Sequence, residues 1–326
     1  MDHFIEDKNT KVDVNVDGGE GKEQKLNFND LKTGGFIKQR QKDLFTVRLR
    51  CPGGMITTKN LVEISKIADK YSQKGEIHLS YRQSLEILYV DYREFGNIVD
   101  ELAKIGMKVA SCGPRVRVPT ACGGCSYNPN GLTDTQALAR MVDETFFGTP
   151  THHKFKVSFS GCPIDCSRTR EMDLGFQGVV EPEWEEPSCT GCTICAEVCK
   201  DDAIASDPAT GKPIYNEKKC ISCGDCIRAC PTGAWRAKRY GHLVRLGGKH
   251  GRRPMEAPEV AIFITDEAVP TVIEKTIEWY LANGMRGERI ATVIRRVGVD
   301  SYVDFMKPTF EECGAKLTPI NRELLK

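Results

Sequence analysis

From Leu44 onward the apolar and polar positions fall into regular periods. Leu44 to Leu49 alternate as a strand does. The stretch "TKNLVEISKIADKYSQKG" then sets Leu61, Ile64, Ile67, Ala68 and Tyr71 on one helical face, with Thr57 or Thr58 to cap its start and Gly75 to end it. "EIHLS" and "LEILYV" have strand character, "REFGNIVDELAKIG" has the period of a second amphipathic helix, and "MKVA" is a short strand. The order β-α-β-β-α-β predicts a split βαβ, or ferredoxin-like, unit within an α+β protein.

The pattern also marks boundaries. Residues 1–33 lack periodicity and are expected to be a flexible arm, loosest at "DGGEGKEQK". Residues 34–110 carry the ferredoxin-like unit. Residues 111–186 are richer in Gly, Pro and Cys, and residues 187–239 form a separate cysteine-dense insert. Over 240–326 the α/β pattern resumes, with strands at "HLVRLGG" and "EVAIFIT" and helices at "DEAVPTVIEKTIEWYLANG" and "ERIATVIRRVG".

Charge narrows the function classes by exclusion. With 46 Lys and Arg against 45 Asp and Glu, the net charge is +1, so no global field points to nucleic acid or a membrane surface. The opening residues are polar and acidic and contain no apolar run of signal-peptide or transmembrane length, which leads us to expect a cytoplasmic protein. No G-x-G-x-x-G follows a strand, so no nicotinamide site is expected and any electrons come from another protein.

Fifteen cysteines change the picture. In a reducing compartment they are thiols, and clustered thiols hold metal. Cys189, Cys192, Cys195 and Cys199 have the spacing C-x2-C-x2-C-x3-C; Cys220, Cys223, Cys226 and Cys230 repeat it, followed by Pro231. This is the two-cluster ferredoxin pattern, in which the fourth cysteine of each run crosses to the other cluster. One [4Fe–4S] cluster is therefore expected on Cys189, Cys192, Cys195 and Cys230, and a second on Cys220, Cys223, Cys226 and Cys199. The competing reading, two zinc knuckles, suits two distant cysteine pairs better than four cysteines in a short run. Lys200 stands where the first run would often have proline. Upstream, "SGCPIDC" offers Cys162 and Cys166, which would share a face if "CPIDC" opens a helix, and "ACGGCSYNPNG" offers Cys122 and Cys125. These four are candidates for a third cluster, against the simpler reading of buried thiols. Cys51 and Cys313 have no partner in sequence.

Together these motifs resemble the nitrite and sulfite reductases that couple sirohaem to a [4Fe–4S] cluster, above all the anaerobic sulfite reductase C subunit and the dissimilatory sulfite reductase subunits. The resemblance is carried by "FTVRLRCPGGMITTKNL", "HLSYRQSLEI", "HHKFKVSFSGCPIDC" and "LVRLGGKHGRRP", and runs from residue 34 to near residue 300. It implies a sirohaem-reductase repeat at 34–110, a sirohaem and cluster domain split over 111–186 and 240–326, and an inserted two-cluster ferredoxin domain. It implies that Cys166 bridges cluster and haem iron, and that Arg50, Arg117, Lys154 and Lys156 face the substrate. Arg48, Arg82, Arg115, Lys249, Arg252 and Arg253 would meet sirohaem carboxylates, for which cationic side chains are suited. Lys154 and Lys156, two apart on a strand, would point to one side. His152 and His153 are assigned to a loop. The family's usual first pair is C-x5-C, whose second member would fall at Asn128, so Cys125, Asn128 and Cys112 stand as alternatives for that ligand. The implied reaction is six-electron reduction of sulfite to sulfide, with iron–sulfur and flavin (NADH-oxidising) donor subunits and a possible homo-oligomer as partners. The rivals are nitrite reduction to ammonia at the same centre and a non-catalytic electron-carrier subunit.

Overall fold

The computed structural model describes residues 27–325, so most of the expected arm lies outside the described residues. Residues 28–33, expected in that arm, instead form a helix, α1 (Phe28–Thr33), capped by the Asn27 side chain. The chain divides into two compact units. The first comprises residues through Ala121, Ala139–Val157 and Tyr280–Ile290; the second comprises Cys122–Leu138, Ser158–Trp279 and Ala291–Lys326.

The first unit is built on β1 (Phe36–Lys38), β2 (Leu44–Arg48), α2 (Thr58–Tyr71), β3 (Ile77–Leu79), β4 (Leu85–Asp91) and α3 (Phe95–Lys104). The strands form one antiparallel sheet in the order β1-β2-β4-β3. Thr57 caps α2 by accepting the Asn60 N–H at 3.1 Å. Ile64, Ile67 and Ala68 of α2 and Ile98 and Leu102 of α3 are buried against the sheet, each large aliphatic contributing about 1.5–3 kcal/mol. Leu61, expected on that buried face, is 45% exposed. Phe36 stacks on Phe95 at 3.8 Å between ring centroids, and Phe45 meets Phe95 edge-on. The expected strand at "MKVA" is reduced to a single bridge between Val109 and Leu49. A two-residue strand, β5 (Thr120–Ala121), ends the continuous part of this unit.

The second unit opens with α4 (Gly124–Tyr127); α5 (Thr135–Phe146) and β6 (Val157–Ser160) follow in the chain. Its backbone is the pairing of β7 (Leu174–Trp184) with a later strand, β10 (Trp235–Leu246), antiparallel along their whole length from Leu174↔Leu246 to Trp184↔Trp235. Between them lies the insert: α6 (Ile194–Val198), the hairpin β8 (Ile204–Ser206) and β9 (Pro213–Tyr215), and α7 (Asp225–Ala229). The Glu185 N–H donates to the Ala234 carbonyl at 2.8 Å and closes its neck, so the body resumes at Trp235, a few residues before the expected boundary. The sheet continues through β11 (Glu259–Ile264) and β12 (Lys316–Leu317). Helices α8 (Val269–Asn283) and α9 (Ile290–Val297) stand where expected. α10 (Val299–Glu312) has no counterpart among the expected elements; Pro308 interrupts its pattern, yet Tyr302 is fully buried, edge-on to Trp279 and hydrogen-bonded to Thr276.

Among the described residues, no helix is long and apolar enough to cross a membrane.

Candidate functional site

The eight cysteines of the insert sort into two small cavities. One is lined by Cys189, Cys192, Cys195 and Cys230, with Trp235 as its wall. The other is lined by Cys199, Cys220, Cys223 and Cys226, with Pro182 and Tyr215. The last cysteine of each run thus lines the other run's cavity. The crossing follows from local folding. Each C-x2-C turn feeds a left-handed residue, Thr193 (φ 66) or Gly224 (φ 76), and then a short helix that carries the fourth cysteine away. Backbone N–H groups point at the sulfurs: Ala203 to Cys199 and Ser222 to Cys220, each at 3.3 Å. Burial pushes the Cys223 thiol up to about 11, and burial followed by Cys220 and Cys223 pushes Cys226 up to about 12. Acidic groups crowded this way ionise when a cation binds among them. Among the described residues, no three His, Cys, Asp or Glu side chains are gathered tightly enough for a single metal ion; what the thiols share is a cavity.

The upstream cysteines are brought together by backbone contact. The Cys122 sulfur accepts the N–H of Gly161 at 3.1 Å and of Gly124 at 3.4 Å. A Cβ on Gly161 would come within 2.7 Å of the Gly124 Cα, so only glycine permits this approach. Burial raises the Cys162 thiol; the Ile164 N–H opposes this, and Cys122 and Cys166 add to it. Cys162 is buried, whereas Cys166 is exposed. "CPIDC" does not open a helix. It makes two successive turns, with Asp165 N–H to Cys162 O at 3.2 Å, Arg168 N–H to Asp165 O at 2.9 Å, and left-handed backbone at Asp165 (φ 58) and Arg168 (φ 55). Cys125 is exposed on α4, and its thiol is raised by burial and then by Asp134 and Asp266. Of the alternatives to it, the Asn128 side chain accepts the Asn130 N–H, and the Cys112 sulfur accepts from Arg48 Nη1 at 3.0 Å.

The basic residues separate by their partners. In the first unit, Arg48 is bound to the Glu86 carboxylate at 2.6 Å. Arg50 binds Asp143 at 2.7 Å and lies 3.9 Å over the Phe147 ring, both charged side chains being under a tenth exposed. Each cation is thus neutralised, and Arg50 is better described as a buried structural pair than as the substrate-facing residue the resemblance implied. Arg50→Ala is expected to lower stability by about 3–5 kcal/mol in urea unfolding, because Asp143 is left charged and buried; a loss under about 1 kcal/mol would return Arg50 to the exposed anion set.

Arg115 and Arg117 flank buried Val116, while Lys154 and Lys156 flank fully buried Phe155 on the segment bridged to it. Arg117 donates to the Ser111 and Gly113 carbonyls at 3.0 and 3.1 Å, which hold its guanidinium in place. Arg115 Nε and Nη1 are buried with no hydrogen-bond partner among the described residues, and burial followed by Arg117 holds its pKa below the ordinary arginine value. His153 is held below its ordinary value by burial, then by Arg289, Lys154 and Arg117. Arg289 thus joins this basic group. Its distance along the chain hid it from sequence reasoning. His152 is structural, its Nε2 on the Leu281 carbonyl and its ring edge-on to Tyr280. Arg82 Nη2 donates to the Val118 carbonyl at 2.6 Å. Gln83, also missed, clamps the backbone of Ala121, just before Cys122, through both its N–H and its carbonyl.

In the second unit, Lys249 pairs with Met255 across a loop that leaves Arg252 and Arg253 exposed. Cys51 is a buried thiol in the first unit's core and Cys313 caps the end of α10.

Family models match two segments: the ferredoxin-like half domain of nitrite/sulfite reductases over residues 37–105, and the nitrite and sulphite reductase 4Fe-4S domain over residues 112–311. The chain belongs to the nitrite and sulphite reductase family. It is 36% identical over 276 residues to the coenzyme F420-dependent sulfite reductase of Methanocaldococcus jannaschii, covering 84% of this chain but only 44% of that protein. It is 28% identical over 250 residues to the anaerobic sulfite reductase C subunit of Salmonella typhimurium, covering 72% of this chain and 73% of that one. Dissimilatory sulfite reductase I shares the fold, with a TM-score of 0.66 at 20% identity over 85% of this chain and 70% of its own.

Proposed function

We propose that this chain reduces sulfite to sulfide at a sirohaem joined through Cys166 to a [4Fe–4S] cluster, fed by two further [4Fe–4S] clusters in the insert. The observation that carries this reading is the sorting of the cysteines: two crossed sets of four in the insert, and the Cys122 sulfur held on the Gly161 N–H, next to Cys162 in the "CPIDC" turn. Cys125 is assigned as the remaining ligand, since Asn128 and Cys112 are engaged elsewhere.

The basic residues fit a polycarboxylate cofactor and an anionic substrate. Arg115, with a buried guanidinium edge unmet by protein, suits a carboxylate, which would satisfy two donors at once; Arg82, Lys249, Arg252 and Arg253 are assigned with it. When bound, sirohaem supplies an iron that takes the substrate and passes electrons to it. Arg117, Lys154 and Lys156, joined by Arg289, neutralise the oxyanion and hold protons for its departing oxygens, which is electrostatic stabilisation with general acid catalysis. Nitrite is the second substrate reading, because the same cations would neutralise it and the family includes both activities.

The insert is proposed to work in one direction. Val180 N–H donates to Ser222 O at 3.0 Å, and a Cβ on Gly224 would stand 2.9 Å from Val180 Cγ1 and 3.8 Å from Leu132. Leu132 N–H in turn donates to Gly161 O at 2.7 Å, next to Cys162. Electrons would enter at the Cys189 set, pass to the Cys199 set, and leave through this contact. The donor is proposed to be a separate iron–sulfur or flavin subunit.

Iron and acid-labile sulfide analysis of anaerobically purified protein tests the reading. About twelve cubane irons plus one haem iron per chain, with a sirohaem absorption band, are expected. A value near eight, with no sirohaem band, would instead make the chain an electron carrier.

A further inference from the structure

The two turns of "CPIDC" lack the hydrogen-bond ladder that would fix a helix, yet they are tightly held. The carboxylate between the two cysteines does this. Asp165 Oδ1 accepts from Ser160 Oγ, Thr169 N and Thr169 Oγ1, each at 2.8 Å. Its Oδ2 faces Arg170, with Nε at 3.5 Å and the backbone N at 3.4 Å, and its side chain is only 7% exposed. On the other side of Cys166, Ser167 N–H donates to Ser160 Oγ at 3.0 Å and Ser167 O accepts from Ser158 Oγ at 2.8 Å. The residues flanking Cys166 are therefore tied to β6 and to the turn at Thr169, while Cys166 itself is exposed. An anchored backbone with an open sulfur is a presented ligand. A left-handed φ at Asp165 costs energy that only a surrounding network maintains, and Asp tolerates that conformation better than most residues.

We infer that Asp165 is the positioning residue of the site: its carboxylate replaces the missing helix and sets where the Cys166 sulfur stands. This rests on the reading of Cys166 as the bridging ligand, in the way outer hydrogen bonds orient metal ligands generally. Removing the carboxylate leaves the fold of the insert and the ferredoxin-like unit untouched, because none of its partners lies there.

The test compares Asp165→Ala with Asp165→Asn in the full chain as purified. Asn keeps an oxygen where Oδ1 stands; Ala keeps none. In Asp165→Ala, hydrogen exchange at the Thr169 amide is expected to accelerate at least about tenfold, since a bond to a charged acceptor is worth about that factor or more. The spectroscopic signature of the haem-coupled cluster is expected to disappear while both insert clusters keep their EPR intensity. Asp165→Asn should restore most of both. Three results would overturn the inference: unchanged Thr169 exchange in Asp165→Ala, an intact coupled signature in that variant, or loss of the insert signals together with the coupled one and no rescue by Asn. If the wild-type protein itself shows no sirohaem band, the functional reading fails on its own, and the Thr169 exchange alone then decides whether Asp165 holds the loop.

Discussion

Lys156→Ala is expected to keep its full iron content and sirohaem band while losing sulfite turnover by roughly thirty- to thousand-fold. Lys156 and Lys154 flank fully buried Phe155 in the chain, two residues apart. Near Lys154 stand Arg117 and Arg289; after burial, Arg289, Lys154 and Arg117 lower the pKa of the neighbouring His153. Removing one charge-assisted contact from such a group costs about 2–4 kcal/mol in transition-state stabilisation, and each 1.4 kcal/mol or so is about a decade in rate. Lys154→Ala should behave alike. Steady-state turnover at saturating sulfite, with iron content measured on the same sample, checks this. A fully loaded Lys156→Ala enzyme with near wild-type turnover would remove both lysines from the anion site. Stability should barely move, in contrast to Arg50→Ala, whose loss falls on folding because its charge is spent on Asp143.

Cys199→Ser should cost the cluster of the other cysteine run. Cys199 ends the first run but lines the cavity of Cys220, Cys223 and Cys226. EPR of the reduced variant is expected to lose that cluster's signal and to retain the signal from the Cys189 set. If the Cys199 set is the one that hands electrons onward, the retained cluster should reduce normally while the haem-coupled centre stays oxidised on the time scale of turnover. Loss confined to the Cys189-set signal would reverse the ligand assignment. Normal reduction of the coupled centre would reverse the proposed direction of the insert.

Spacing along the chain announced the crossed cysteine sets, because two short turns and two five-residue helices dictate where each thiol goes. The same holds for α2, α3 and the strands they cover, whose periodicity of burial is a local property of the chain. "MKVA" had the right residues for a strand but its pairing extends only to one bridge at Val109, with backbone hydrogen bonds at Lys108 and Ala110, since pairing depends on the neighbour as much as on the sequence. Helix α10 escaped notice because Pro308 breaks the pattern, although tertiary contacts at Tyr302 sustain the helix.

The chemistry divides along the same line. Cysteine identity and spacing pointed to the metal-binding character of this protein, since reduced thiols in clusters have few other uses. Which arginines retain usable charge was decided by residues far away in the chain: Asp143 neutralises Arg50 and Glu86 neutralises Arg48, whereas the buried edge of Arg115 meets no protein acceptor among the described residues. The conformation of "CPIDC" was likewise settled by Ser160 and Thr169, whose bonds to Asp165 favour a left-handed turn over the helix that Pro163 alone would allow. A charge or a turn is an attribute of a residue only until a partner is placed beside it, and the placing is done by the folded chain.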